Sequence, residues 1–304
     1  MVLLVCDSEV PVPRPPSPNV PLLREHLLRL RDEWTEAPLS SDPLEFAHRY
    51  SASGDREVAA FLAASLAFGR VASIRATLFR VLAPLGPEPA RFLEGWDGEP
   101  IAGLTGIVHR WVGEADLLSL LRAVAAARRE FGSLEALLVE GDDGEADLVF
   151  ALTRFYDALR ERSGVRRPSQ GLRFLLPRPE QGGACKRAHL FLRWMVRSGP
   201  PDLGLWKSGR LSPARLLLPM DTHVHRISRY LGLTRRPTAD LAASREATAV
   251  LRRVDLDDPV SFDWALSRLG ILTECVREIR RSHCERCAVR PICRMSRPPP
   301  LHLR

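Results

Sequence analysis

Four cysteines near the end of the chain are spaced Cys275-x8-Cys284-x2-Cys287-x5-Cys293. Thiolates are the ligands of a 4Fe–4S cluster, and the last three of these would lie in one short loop. The first would come from the end of the preceding helix. Four thiolates also suit tetrahedral zinc. The x2 then x5 spacing is less usual for zinc, so the cluster is the first reading, zinc the second and four unligated thiols the bland third. Cys6 and Cys185 lie outside the motif. Between the first two cysteines the sequence reads VREIRRSH, with Arg277, Arg280 and Arg281. On a metal-anchored loop these arginines would present pre-ordered charge to phosphates. Otherwise they balance the thiolates.

A second candidate chemistry is that of an amine. Of 44 basic residues 42 are arginine, and the only lysines are Lys186 and Lys207. Guanidinium replaces ammonium in most phosphate contacts but not as a nucleophile, because it stays protonated. Lys186 opens an apolar-periodic run, KRAHLFLRWMVRS, shortly after Gly182 and Gly183. A glycine turn before a helix exposes N–H groups that grip phosphate without reading sequence, and Arg187 stands beside it. Asp221 opens another such run, in PMDTHVHRISRYLGL. On local sequence Asp221 is a helix N-cap, a role compatible with chemistry because a cap fixes the direction of the carboxylate. Lys207 is nearer to Asp221 in sequence and is the competing amine. Trp194 and Trp206 read as core, and His223 and His225 as neighbours of Asp221.

The charge is uneven. Residues 1–180 hold 21 arginines against 26 acids, whereas residues 181–304 hold 23 basic residues against 11 acids. A basic half beside an acidic one fits a face for a polyanion, with a solvated arginine-rich surface as the plain alternative. No run approaches the eighteen or so apolar residues of a membrane span, and MVLLVC is too short for a signal-peptide core. A cytoplasmic protein is expected, with its clustered cysteines serving a metal and not disulfides.

The elements that would position these groups read as helices throughout. Six prolines in residues 7–21 make a flexible leader. Leu22–Trp34 has helical spacing, and Glu57–Leu82 reads as a long helix capped by Asp55 and broken at Gly69. Helical stretches follow near 86–95, 115–131, 133–139 and 145–162. Residues 163–185 form a long proline- and glycine-punctuated connector, and a helix is expected from Asp257 through Trp264 towards Cys275. No run shows the alternation of a strand, so the fold class is all-α.

The order glycine hairpin, Lys186, helix, loop, Asp221-Thr222-His223, helix and four-cysteine loop resembles the helix-hairpin-helix DNA glycosylase superfamily. The cysteine loop is similar to that of endonuclease III. GGACKRAHLFLRWMVR with PMDTHVHR looks closer still to an uncharacterised bacterial family beside that superfamily. The resemblance implies a two-lobed fold. The leader would be residues 1–21, and residues 22–55 would hold N-terminal helices packing with the cluster lobe. Residues 56–205 would form a helical barrel and residues 206–296 the cluster lobe, with a disordered tail over 297–304. It implies that Lys186 attacks the sugar of an extruded nucleotide and that Asp221 assists. Phe68 and Arg70 would then wedge into the duplex from the AFGRV turn, with Gly182, Gly183, Arg187, Arg277, Arg280 and Arg281 on the DNA. The expected protein is a monomeric base-excision glycosylase on double-stranded DNA, with lyase activity if Lys186 is the nucleophile. Its rivals are a non-catalytic DNA- or RNA-binding protein on the same scaffold and a redox sensor in which cluster loss switches binding.

Overall fold

The computed structural model describes residues 18–35, 39–271, 275 and 284–296. Among these residues the regular structure is helical except for one small hairpin. Two apolar cores organise it. The first draws on residues between Leu44 and Leu216, with Val260 added. The second joins Leu23, Leu27 and Leu30 to residues between Leu218 and Ile292.

The N-terminal helix α1 (Val20–Trp34) is started by Asn19, whose side chain accepts from the Leu22 N–H at 3.3 Å. Its buried leucines recur at positions i, i+4 and i+7, which puts them on one face. That face enters the second core against α12 (Asp263–Ile271). The expected 22–55 segment divides here. The 3-10 helix Pro43–Arg49 places Leu44, Phe46 and Ala47 in the first core, so the chain crosses between cores after α1. The return crossing falls between Leu216 and Leu218, some ten residues beyond the expected boundary, because Trp206, Leu211 and Leu216 still pack in the first core.

The centre of the first core is α2 (Ser53–Ser65), whose Val58–Ala64 run is buried on every side. Its alanines leave room for neighbouring helices to approach, and Phe61 meets Phe191 and Phe155 edge-on at 5.1 and 6.0 Å. Asp55 is not the cap. Ala52 takes that position and the Asp55 carboxylate accepts instead from the Ala90 N–H at 2.9 Å. The expected break at Gly69 is present: Gly69 has φ +100°, a conformation that glycine adopts freely, and α3 (Val71–Leu82) follows. The remaining helices of this core are α4 (Pro89–Gly95), α5 (Glu114–Phe131), α6 (Leu134–Glu140), α7 (Val149–Arg162) and the short α8 (Gln170–Leu175). The connector over 163–185 is therefore not structureless, since Ser169 caps α8 inside it.

Sequence patterning misses the hairpin β1 (Val108–His109) and β2 (Val112–Gly113), two residues on each side. The helix α9 (Lys186–Val196) then runs back through the first core. The second core adds α10 (Thr222–Leu231) and α11 (Leu241–Arg252). The last helix starts at Asp263, later than expected, because residues around Asp258–Pro259 turn instead. No helix among the described residues is long and apolar enough to cross a membrane.

Candidate active site

Lys186 and Asp221 come together from two helix starts. The Lys186 Nζ lies 3.6 Å from Asp221 Oδ2, with the two side chains 31% and 22% exposed. The Asp221 carboxylate divides its oxygens. Oδ1 accepts from the His223 and Val224 N–H groups, both at 2.8 Å, and so caps α10. Oδ2 is left to face the amine. Cap and candidate chemical group are thus one residue, and the cap pins the direction of the second oxygen. The pair is accessible from solvent without being fully solvated. Lys207, the competing amine, is exposed on a different stretch, where the Ser208 N–H is tied to Glu135 of α6 at 2.7 Å.

The chain reaches Lys186 through unusual backbone. Gly182 has φ +80° and Cys185, the residue before the helix, has φ +41°, a left-handed conformation uncommon for a side-chain-bearing residue. The Gly182 carbonyl accepts from the Leu241 N–H at 3.0 Å, and Gly183 bridges to Asp240. The glycine turn is thereby fastened to the start of α11. The Gly182 N–H donates to the Pro179 carbonyl at 3.1 Å, so it is taken by the turn and does not face a phosphate. Gly183 is exposed, with open space where a side chain would stand. Burial pushes the Cys185 thiol up to about 11, so this neighbour of the lysine stays protonated.

Arg187 departs from its expected role on DNA. Its guanidinium donates to the carbonyl of Ser65 at 2.7 Å and to that of Phe174, and it stacks 3.8 Å from the Phe174 ring centre. Burial lowers its pKa to about 10, and the charge is spent inside the first core. Phe68 is also more structural than expected. Its half-buried ring meets His109 at 4.5 Å, Phe174 at 4.7 Å and Trp111 at 5.4 Å, and its carbonyl pairs with His109 Nε2 at 2.8 Å. Arg70, at the start of α3, is exposed. Beside Phe68, Trp111 presents an aromatic face to solvent, 43% exposed at the hairpin tip, with the Arg110 guanidinium 5.3 Å from its ring. VHRWV is too short a segment for an alternation test, and that hid it. Trp194 and Trp206 are buried, as the core reading expects, and Trp206 Nε1 donates to Glu57 at 2.8 Å.

Beneath the Lys186–Asp221 pair is Asp263, 2% exposed and ion-paired with Arg193. Arg193 follows Lys186 by seven residues, two turns along one face of α9. Burial raises the Asp263 carboxyl to about 6, Arg193 opposes that rise, and Asp221 and Lys186 both lie within its electrostatic reach. In sequence Asp263 reads only as an acid near a helix start.

Among the described residues Cys275, Cys284, Cys287 and Cys293 are in no disulfide, and Cys275 and Cys287 pack against the second core. Burial raises both of these thiols, and the other cysteines of the set raise them further. The four thiols are therefore electrostatic neighbours, although among the described residues no group of three or more ligands is arranged as a metal site. Arg226 of α10 donates to the Cys275 carbonyl at 2.8 Å and lowers its thiol. The Arg294 guanidinium lies against Gly232, where an added Cβ would meet it at 2.2 Å. The cysteine segment thus packs on α1 and α10. Arg277, Arg280 and Arg281 lie outside the described residues.

An all-α scaffold with a lysine and a capping aspartate meeting at two helix starts defines the class. The chain belongs to the family described as protein of unknown function, DUF2400, which matches residues 42–272. That span contains both members of the pair and stops short of the four cysteines. No curated protein and no solved structure matches the chain.

Proposed function

We propose that this protein is a DNA base-excision glycosylase acting on double-stranded DNA, with lyase activity through Lys186. The observation that carries the reading is the approach of Lys186 Nζ to Asp221 Oδ2 at 3.6 Å, from residues 35 positions apart in a chain with two lysines. Base loss leaves cationic character on the sugar, which a carboxylate fixed by a helix cap stabilises without reorganising. An amine beside it attacks C1′ once it has shed its proton, the base leaves with the electron pair of the glycosidic bond, and opening of the C1′–O4′ bond then gives the imine. The base must first leave the stack, at a cost of a few kcal/mol. The exposed Trp111 ring with the Arg110 guanidinium beside it supports a stacking role on an extruded or flanking base, and Arg70 is a further exposed charge at the start of α3. The cysteine set supports a thiolate-bound centre, since burial and the neighbouring thiols disfavour bare thiolates at Cys275 and Cys287. Cys275, Cys284, Cys287 and Cys293 would hold a 4Fe–4S cluster, or zinc. Such a centre would supply a fixed, charge-compensated loop carrying Arg277, Arg280 and Arg281 to phosphates. The protein on this reading is a cytoplasmic monomer.

One observation favours the non-catalytic rival: the cap made by Asp221 Oδ1 is complete in itself. Borohydride trapping on a panel of damaged-base duplexes separates the two. A covalent adduct that is lost in Lys186→Gln and kept in Lys207→Gln supports the glycosylase-lyase. Base release without trapping would indicate a water nucleophile directed by Asp221. Binding with no base release from any lesion would leave a binding module.

A further inference from the structure

A cavity of about 300 Å³ opens where α7 ends and the connector turns into α8. Arg160, Arg166, Arg173 and Arg178 line it, with Asp157 and Glu161 as its acids. The local charge departs from its surroundings. Residues 160–178 hold six arginines and one acid, within a half of the chain that is otherwise acidic. Arg160 is consumed by the fold. It pairs with Asp157 and donates to the carbonyls of Leu176 and Pro177 at 3.1 and 2.6 Å, which clamps the connector to α7 and shapes the cavity. The other three arginines keep donors in hand. Arg166 is exposed and makes no hydrogen bond or ion pair among the described residues. Arg173 gives one bond, to the Pro168 carbonyl at 2.9 Å, although a guanidinium carries about five N–H donors. Arg178 stands 3.6 Å from Glu180, an exposed and loose pairing of little worth. With Asp157 met by Arg160, three arginines with open donors share the cavity with one acid, the exposed Glu161.

We propose that this pocket grips the phosphodiester backbone of bound duplex DNA through Arg166, Arg173 and Arg178. The inference rests on the reading of the protein as one that acts on DNA, and it names a contact which that reading lacked. Guanidinium forks match phosphate oxygens in geometry as well as charge. The groups nearer Lys186 are already spent, since the Gly182 N–H is taken by its turn and Arg187 is bound to core carbonyls. Phosphate contact on this side has to come from elsewhere, and the arginine-bearing connector runs directly into Gly182. The position of α8 supplies a second argument. Arg173 and Phe174 are consecutive, hence about 100° apart round the helix. Arg173 lines the cavity, while the Phe174 ring meets that of the exposed Trp111 at 5.0 Å. One short helix thus supports both a backbone contact and an aromatic face for a base. The cavity is at the small end for an enclosed ligand site, and its lining is charged where such sites are mostly apolar. That suits a phosphate group and not a cofactor.

The test is a footprint on the full-length wild-type protein, so it needs no variant to fold. Phenylglyoxal, which modifies accessible arginines, is applied with and without an undamaged duplex, and modification at each arginine is read by mass spectrometry. Duplex should protect Arg166, Arg173 and Arg178 and leave Arg91 of α4, whose side chain is 83% exposed, as reactive as before. Inorganic pyrophosphate is the second probe. Protection by pyrophosphate with none by duplex would assign the pocket to a free polyphosphate and overturn the proposal, and so would protection by neither. A salt titration of duplex binding gives an independent readout. Arg166→Ala, Arg173→Ala and Arg178→Ala together should lower the slope of log K against log salt by about 2–3, at roughly 0.9 per phosphate contact. Arg166→Lys, Arg173→Lys and Arg178→Lys together should restore most of it, because ammonium keeps the charge. Arg91→Ala should leave the slope unchanged. An unchanged slope in the triple alanine variant, or a drop from Arg91→Ala as large as that from Arg166→Ala alone, overturns the proposal. Base release reads the glycosylase and duplex protection reads the pocket, so either can fail while the other holds.

Discussion

Asp221 uses its two oxygens for two purposes, and two substitutions separate them. Asp221→Asn keeps an oxygen able to accept from the His223 and Val224 N–H groups, but removes the charge facing Lys186. The lost ion pair spans 3.6 Å between side chains 31% and 22% exposed, so solvent screening limits its worth to about 1 kcal/mol or less. Loss of a negative charge at a helix start adds a few tenths. Asp221→Ala removes the cap as well, for roughly 1–2 kcal/mol more. Asn should therefore melt about 1–3 °C below wild type and Ala roughly 4–6 °C below, at about 2 °C per kcal/mol for a chain of this size. Both should release base at least about a hundredfold more slowly, the scale for removing a transition-state charge partner. Thermal melts followed by circular dichroism, paired with single-turnover base release, read the two effects independently. Equal destabilisation by Asn and Ala would refute the division of the oxygens. Near-normal base release by Asn would refute a role for the Oδ2 charge.

His189 is buried, neither ring nitrogen has a hydrogen-bond partner among the described residues, and burial depresses its pKa to about 4. The unfolded chain binds this proton near pH 6.5, so stability is intact above that value and falls as pH drops towards 4. The loss reaches about 3 kcal/mol at most, and urea titrations at pH 7 and 4.5 should show a shallower acid loss in His189→Leu. Trp111→Ala should weaken duplex binding by roughly 1–3 kcal/mol if the ring stacks on a base; unchanged affinity in a filter or anisotropy assay would make the ring purely structural. Anaerobically purified protein should be brown, with roughly four irons per chain. Serine at Cys275, Cys284, Cys287 or Cys293 should lower the iron while Cys185→Ser leaves it unchanged, and one stoichiometric zinc in colourless protein would decide for zinc.

Much of this architecture is legible in the sequence because it is local. Apolar spacing marks α1 and α3, Gly69 marks the break before α3, and Asp221 announces itself as the cap of α10. The Lys186–Asp221 approach is implied by the resemblance and not by local spacing, because all of α9 and a loop lie between the two helix starts. What stayed hidden depends on partners far along the chain. Asp55 looks like a cap until Ala90 takes its carboxylate. Arg187 looks like a phosphate ligand until the Ser65 and Phe174 carbonyls claim it. Asp263 has no local pattern at all, since its counter-ion Arg193 is seventy residues away. The hairpin at 108–113 offers two residues per strand, too few for any period to emerge.

The placement of α1 in the second core has a consequence for synthesis. Roughly 190 residues separate Trp34 from Thr222, which at ribosomal rates is about ten to forty seconds of elongation. Throughout that interval Leu23, Leu27 and Leu30 lack the helices that will cover them, while the first core, all but Val260, emerges and can close. The nascent chain thus carries an amphipathic helix with its apolar stripe open, tethered to a finished neighbour. That stripe is a natural foothold for a chaperone at the ribosome exit. A ribosome stalled before α10 emerges would leave a chain with one intact lobe and a persistent greasy flag.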